Sequence, residues 1–379
     1  MSFELDEEHE DFRSSCRRFT DREVRPVVDE AERIGQPPEG LMKKMGAAGL
    51  LGLVAPAEYG GSEGDALTVA LLAEELSRAS GGIAVTALVS AYMAGTHIVY
   101  HGNAEQRQRW APGIIAGELI ASIAVTEPGT GSDVAAITTR ADEVDGGYRI
   151  NGRKMFITNA GFADVFVVAA RTGGPGHRGV TTFIVEADNP GLELGRPLAK
   201  MGWHASDTRE VVLNDCVVPR DAILGDLNRG FHQIMARFQL ERVALGAMGL
   251  GHAAECLQLA AEYAGMREAF GSRLLGMQTI RHRLAIMSIE LDAARLVTYQ
   301  AATRLAADHP GAGHSVAAAK YHAAITANRI VDEAVQIFGG AGFVEESPVA
   351  RHYRDARILR IGGGTDEIQL ELLAREFGT

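Results

Sequence analysis

Apolar and polar residues alternate along this chain in two different periods, and the switches between them mark out three regions. Over residues 5–117 the apolar positions recur at helical spacing. Phe12, Cys16 and Phe19 stand at i, i+4 and i+7, and LTVALLAEEL at residues 67–76 keeps that period. Gly49, Gly60-Gly61 and Gly81-Gly82 punctuate these predicted helices. From residue 120 to 224 the period shortens and β-branched residues dominate, so segments 120–126, 165–170, 180–185 and 210–213 predict strands. Asn151-Gly152, between 148–150 and 154–157, predicts a two-residue hairpin. No helices alternate with these strands, which favours a small antiparallel barrel or sandwich over a parallel doubly wound sheet. Helical spacing returns over 230–264, 278–308 and 315–338, long enough for a bundle. The expected architecture is α+β and multidomain: an N-terminal α-helical domain (1–119), a middle antiparallel β-barrel or sandwich domain (120–226) and a C-terminal α-helical bundle (227–379). There is no tandem repeat, and TGGPGHRG at 172–179 is the one marked flexible stretch.

At 379 residues the chain exceeds one compact core, and 46% hydrophobic with 23% charged residues is ordinary globular composition. Lys and Arg total 37 against 49 Asp and Glu, a net charge of −12 that repels phosphate backbones and argues against nucleic acid. A diphosphate ligand would need local arginines or backbone N–H groups. Cys16, Cys216 and Cys256 lie far apart with no C-x-x-C spacing, so neither a disulfide framework nor a metal site is expected. The acidic start MSFELDEEHEDF lacks a signal-peptide pattern, and no charge-free run of 18 apolar residues suggests membrane insertion. A soluble, cytoplasmic protein is expected.

Candidate chemistry begins with VTEPGTGSD at 125–133, directly after a predicted strand. Its two glycines, Thr126, Ser132 and Asp133 can aim several N–H groups and hydroxyls at one polar ligand edge; a turn rich in Gly and Ser is the lesser alternative for the segment alone. KMFITN at 154–159 adds an aromatic ring and a hydroxyl in the same β region. REAFG at 267–271 with Gln278, QIFGG at 336–340 and IGGGTDEIQ at 361–369 follow or join helices. Gly249-x-Gly251-x-x-Ala254 imitates a dinucleotide fingerprint, but no strand precedes it, and its glycines more plausibly permit close helix packing.

These segments, in this order over residues 3–376, resemble the acyl-CoA dehydrogenases. The resemblance implies FAD as cofactor, with Val125, Thr126, Phe156 and Thr158 around the flavin ring and Gly131 and Ser132 at its diphosphate. Ser132 also matches a thioester contact. Arg267, Phe270, Gln278, Gln336 and Gly340 match residues that bind the adenylate half of FAD from a neighbouring subunit, and Thr365 and Glu367 match contacts to the same half. A homotetramer, or at least a dimer, follows from that division.

The family needs a carboxylate over the substrate α-carbon, and many members supply it directly before the Gly-Thr of the C-terminal motif. That position is Gly363 here. A second branch, which includes isovaleryl-CoA dehydrogenase, carries the Glu on a C-terminal-domain helix just before an Arg, and RFQLERVAL at 237–245 matches with Glu241 as the base. The N–H at Gly363 remains as an oxyanion donor. Burial should raise Glu241 from its ordinary pKa of about 4.3, and Arg242 should face away. His232, Gln239, Arg242, Gly363 and Gly364 are the remaining expected substrate contacts, and Met93 matches a position that narrows the acyl pocket. Gln239 and His232 replace the family's usual Asp and Tyr. The implied activity is FAD-dependent α,β-dehydrogenation of an acyl-CoA, with an electron-transfer flavoprotein as acceptor. Alternatives are an acyl or aminoacyl group on a carrier protein, an oxidase using O₂, or a non-catalytic flavin- or thioester-binding homologue.

Overall fold

The computed structural model describes residues 5–378. Seven helices precede the sheet: α1 (Glu7–Phe19), α2 (Val28–Ile34), α3 (Leu41–Ala47), α4 (Ala66–Ser77), α5 (Gly81–Leu88), α6 (Thr96–His101) and α7 (Ala104–Ile115). Side chains cap the starts of α1, α4, α5 and α7. Asp6 accepts from the His9 N–H at 2.9 Å, Asp65 caps α4, and Asn103 and Gln106 form a capping box on α7. Cys16 and Phe19 of α1 are buried, and so is every residue of α4 except Thr68, Glu74 and Glu75 included. Residues 81–101 run almost continuously as α5, a π-helical stretch and α6. This segment is long and apolar enough to cross a membrane, yet 94% of its apolar window is buried inside the protein.

Eight strands follow: β1 (Ala121–Ala124), β2 (Arg140–Val144), β3 (Gly147–Thr158), β4 (Val165–Arg171), β5 (Val180–Glu186), β6 (Leu192–Leu194), β7 (Thr208–Pro219) and β8 (Ile223–Leu224). They form one sheet in the order β6-β7-β3-β2-β4-β5-β8, with β1 added beside β4. Pairing is antiparallel except at β4, which runs parallel to β1 and touches β2 in parallel at Arg140 and Arg171. The whole β2–β3 excursion separates β1 from β4, which is long enough for a parallel crossover. One face of the sheet folds over its own core of Tyr148, Phe166, Phe183 and Val211. The other face packs Val165, Val167 and Ile184 on Ile98 and Ile114 of the helical layer.

The hairpin expected at Asn151-Gly152 is not there. Strand β3 runs straight through both residues, and the turn lies at 145–146, where Val144 pairs with Gly147. Asn151-Gly152 marks instead a register shift against β7. A Cβ on Gly152 would stand 2.4 Å from Thr139 Oγ1, so the glycine serves close strand contact rather than a turn.

The C-terminal helices are α8 (Gly230–Met266), α9 (Gln278–Ala306), α10 (Ala312–Phe338), α11 (Pro348–Ala356) and α12 (Asp366–Ala374), with a short hairpin, β9 (Glu268–Ala269) and β10 (Ser272–Arg273), joining α8 to α9. Gly249 and Gly251 do pack helices closely: a Cβ on Gly251 would stand 2.2 Å from the Glu74 carbonyl, and one on Gly249 would stand 3.1 Å from that of Ala323. Close approach of α8 to α4 and α10 places the middle of α8 in the core.

Candidate active site

Residues 240–256 of α8 are buried continuously, so the charges at Glu241 and Arg242 cannot be solvated as surface helix charges are. Burial pushes the Glu241 carboxyl up to about 7, against the opposing pull of Arg242 and Lys320. Its Oε2 is buried and has no hydrogen-bond partner. Arg242 does not pair with it. The guanidinium Nε donates instead to the Gly363 carbonyl at 3.1 Å.

The 361–365 turn faces Glu241. Gly363 and Gly364 adopt φ +65° and +95°, a conformation that glycine reaches without strain. Side chains from three helices hold its carbonyls. Arg242 and Gln369 take Gly363 O, Gln369 takes Gly364 O at 3.1 Å, and the Lys320 ammonium also donates to Gly364 O. The N–H groups of Gly363 and Gly364 donate to nothing among the described residues. A free donor thus stands beside a buried, raised carboxylate.

A second group forms around the 125–133 loop. The Lys154 ammonium, fully buried, donates to Glu127 Oε1 at 2.8 Å and to the Val125 carbonyl at 3.1 Å. Glu127 also accepts from the Thr138 and Thr139 N–H groups. These bonds and the lysine hold its carboxyl down to about 2, while burial lowers Lys154 to about 8. A bulge between Lys154 and Ile157 breaks the ladder with β7, and the Met155 N–H crosses to the Thr126 carbonyl instead. The bulge turns Phe156 outward at φ +60°, where its ring is 65% exposed. Val125 is buried, Thr126 and Thr158 are half-buried, and Gly131 and Ser132 are exposed, with open space around Gly129 and Gly131. A strained, exposed aromatic beside an open glycine loop on a rigid ion pair fits a flat ring with a polar tail, as FAD requires.

His232 is exposed on the first turn of α8, edge-on to His177 at 5.5 Å, while Gln239 is half-buried with Oε1 unpartnered. Arg267, Phe270 and Gln278 stand at the opposite end of α8, roughly 55 Å from Gly230 along its 37 residues. Phe270 is 99% exposed at φ +53°. Gln336 and Gly340 lie exposed at the end of α10, and a Cβ on Gly340 would meet nothing within 4 Å. Thr365 caps α12 and Glu367 is exposed in its first turn. The first two sets cannot meet within one chain.

Lys320, Gln369 and Arg171 escaped the sequence reading. Lys320 had a visible sign, since it interrupts the apolar face Val316, Ala319, Ala323 and Ala327 of α10. Arg171 binds the Ala135, Ile137, Gly174 and Gly176 carbonyls and so ties the 125–137 region to the 172–179 loop. Nothing in its sequence context marks that role.

Comparison with known proteins places this geometry. The acyl-CoA dehydrogenase N-terminal, middle and C-terminal domains match residues 6–118, 122–216 and 228–378. The chain is 38% identical over 377 residues to the human mitochondrial short-chain specific acyl-CoA dehydrogenase, covering 99% of this chain and 91% of that one. It is 36% identical over 369 residues to the 3-(aryl)acrylate reductase of Clostridium sporogenes, covering 97% and 98%. The solved butyryl-CoA dehydrogenase of Megasphaera elsdenii superposes with a TM-score of 0.95 at 35% identity, covering all of both chains. The chain belongs to the acyl-CoA dehydrogenase family of FAD-dependent flavoenzymes.

Proposed function

We propose that Glu241 is the base of an acyl-CoA α,β-dehydrogenase. The observation that carries this reading is the buried, unpartnered carboxylate, pushed up to about 7, beside the free N–H of Gly363. The α-proton of a thioester is weakly acidic, so its removal needs the carbonyl oxygen polarised at the same moment. Gly363 N–H donates to that oxygen while Glu241 takes the proton, and a carboxylate poised near neutrality is well matched to the task. FAD, once bound, would supply the acceptor for the hydride that leaves the β-carbon. Val125, Thr126, Phe156 and Thr158 hold its ring, and Gly131 and Ser132 its diphosphate. Thr365, Glu367 and, from a neighbouring copy, Arg267, Phe270, Gln278, Gln336 and Gly340 hold its adenylate. The separation of these groups along α8 supports a homotetramer.

Ser132, His232, Gln239, Arg242 and Gly364 line the thioester path, and Met93 favours a short or branched acyl group. An electron-transfer flavoprotein is the fitting acceptor for a cytoplasmic enzyme of this kind. Gln239 and His232 also suit a second reading, an acyl or aminoacyl thioester on a carrier protein, because both replace the residue types that the resemblance assigns to the CoA end. Anaerobic titration of the holoenzyme with acyl-CoA and carrier-bound thioesters, followed by flavin absorbance, tests both. Bleaching by a short acyl-CoA supports the first reading, bleaching by carrier-bound thioesters alone supports the second, and none from the whole panel contradicts a dehydrogenase.

A further inference from the structure

Lys320 stands on α10 with its side chain fully buried. A buried ammonium ordinarily comes with a carboxylate, but among the described residues none forms an ion pair with this one. Asp366, which acts on it through space, is held instead by Arg360 at 2.7 Å. The hydrogen bond that Lys320 does make goes to the Gly364 carbonyl.

The packing brings that bond to the base. Helix α10 lies against α8 where a Cβ on Gly246 would stand 3.7 Å from the Lys320 Cα, little more than one helical turn beyond Glu241. Gly363, next to the residue that Lys320 grips, lies against Glu241 and Leu245 of the same helix. Lysine, turn and base thus meet along one stretch of α8. The turn itself is Gly362-Gly363-Gly364, a run with no side chain of its own to fix its backbone. What holds it must come from outside, and Lys320 is the charged group that reaches Gly364.

Few charges surround this meeting point. Glu241 feels Arg242 from its own helix and Lys320 from α10, and the glycine turn adds none. Lys320 feels Asp366 of α12, Arg242 and Glu241 of α8, and Arg360 just before the turn. Burial lowers Lys320 to about 8, so it still carries its charge while Glu241 titrates near 7.

We propose that Lys320 is a positioning residue for proton abstraction: its ammonium fixes the 361–365 turn through Gly364 and sets positive charge beside the Glu241 carboxylate. The inference rests on the reading of Glu241 as the base. Two effects follow from one side chain. A held Gly364 carbonyl keeps the glycine run in one conformation, with the N–H groups of Gly363 and Gly364 free for the thioester oxygen. A fixed cation also favours the ionised form of Glu241, the form that takes the proton.

Two substitutions separate these effects. Lys320→Gln keeps an N–H for the Gly364 carbonyl but removes the charge, whereas Lys320→Met removes both. The readout is the pH profile of kcat/KM for a short acyl-CoA, with holoenzymes at matched flavin content, because that profile reports the base of the free enzyme. Both variants should move the rising limb upward from its wild-type midpoint near 7 by about half a pH unit or more. Lys320→Arg, which retains the charge, should leave the midpoint in place. On the plateau above that limb, kcat of Lys320→Met should fall below that of Lys320→Gln by about tenfold, with KM changed by less than about threefold. A midpoint unmoved in both charge-removing variants overturns the proposal and leaves Lys320 a structural tie between α10 and the turn. Equal plateau rates in those two variants overturn the clamp, and an Arg variant shifted as far as Lys320→Gln overturns the role of charge. If Lys320→Met does not fold, the midpoint of Lys320→Gln decides. A wild-type profile with no rising limb near 7 sinks the assignment of Glu241 itself, whereas a wild-type limb that no Lys320 variant moves sinks this inference alone.

Discussion

A Cβ built on Gly363 would stand 3.6 Å from Oε1 of Glu241. The position where the family resemblance leads one to expect a carboxylate and the carboxylate this chain has are thus neighbours across one gap. The same Cβ would lie only 2.5 Å from Leu245 Cδ1. Glu241, Leu245 and Gly363 therefore form a set in which the helix-borne carboxylate and a side chain at 363 compete for space.

That competition predicts how the base can be moved. Gly363→Glu alone should lower Tm, because a non-glycine residue at φ +65° costs about 1–2 kcal/mol and Leu245 must shift as well. Glu241→Gly should lose activity. The triple variant Glu241→Gly, Leu245→Ala, Gly363→Glu should then bleach its flavin at least tenfold faster than Glu241→Gly. Equal rates in the two proteins, both holding FAD, would show that the two positions do not address one substrate atom.

The raised pKa of Glu241 leaves a signature in rate and stability with opposite signs. Only the ionised base takes a proton, so kcat/KM should climb with pH through a midpoint near 7. For stability, a carboxyl with a folded-state pKa of about 7 against an ordinary 4.5 helps the fold below pH 4.5 and loses that help as pH rises through 7. Glu241→Gln should accordingly equal the wild type in stability at pH 4. At pH 8 it should exceed the wild type by on the order of 3 kcal/mol. Thermal melts of both proteins across this range check the sign, and a variant less stable than wild type at pH 8 would refute burial as the cause.

Beneath the 125–133 loop, Lys154 and Glu127 are each under 5% exposed, so removing either leaves a buried charge unpaired. Lys154→Met or Glu127→Gln should each cost about 3–5 kcal/mol, and both should lose flavin because the loop is hung from this pair. Replacing both together should recover much of the Tm. Single variants with wild-type melting and full flavin content would remove the pair from the account.

The fold was largely legible in the sequence because its periods are clean: residues 67–76 and 165–170 show helix and strand spacing without ambiguity, and α4 and β4 follow them closely. Asn151-Gly152 misled because the dipeptide that favours a tight turn also suits a register shift, and only the partner strand decides between them. At the site, Glu241 was singled out because Gly363 lacks the carboxylate that the family resemblance expects there. The burial expected for Glu241 had no local sign, since a Glu-Arg pair on a helix is ordinarily solvated; the glycine contacts of α8 bring this one inside. Lys320 and Arg171 reach the Gly364 and Ile137 carbonyls 44 and 34 residues away, and the spacing of the chain does not show which carbonyl such a side chain will take.

Anaerobic stopped-flow mixing of wild type and Glu241→Gln with a short acyl-CoA, at matched flavin content, addresses the central assignment directly. General-base catalysis contributes about 10²–10⁴-fold, so the variant should bind FAD and the thioester yet bleach its flavin slower by that factor or more. Flavin bleaching at the wild-type rate in Glu241→Gln would contradict the assignment of Glu241 as the base.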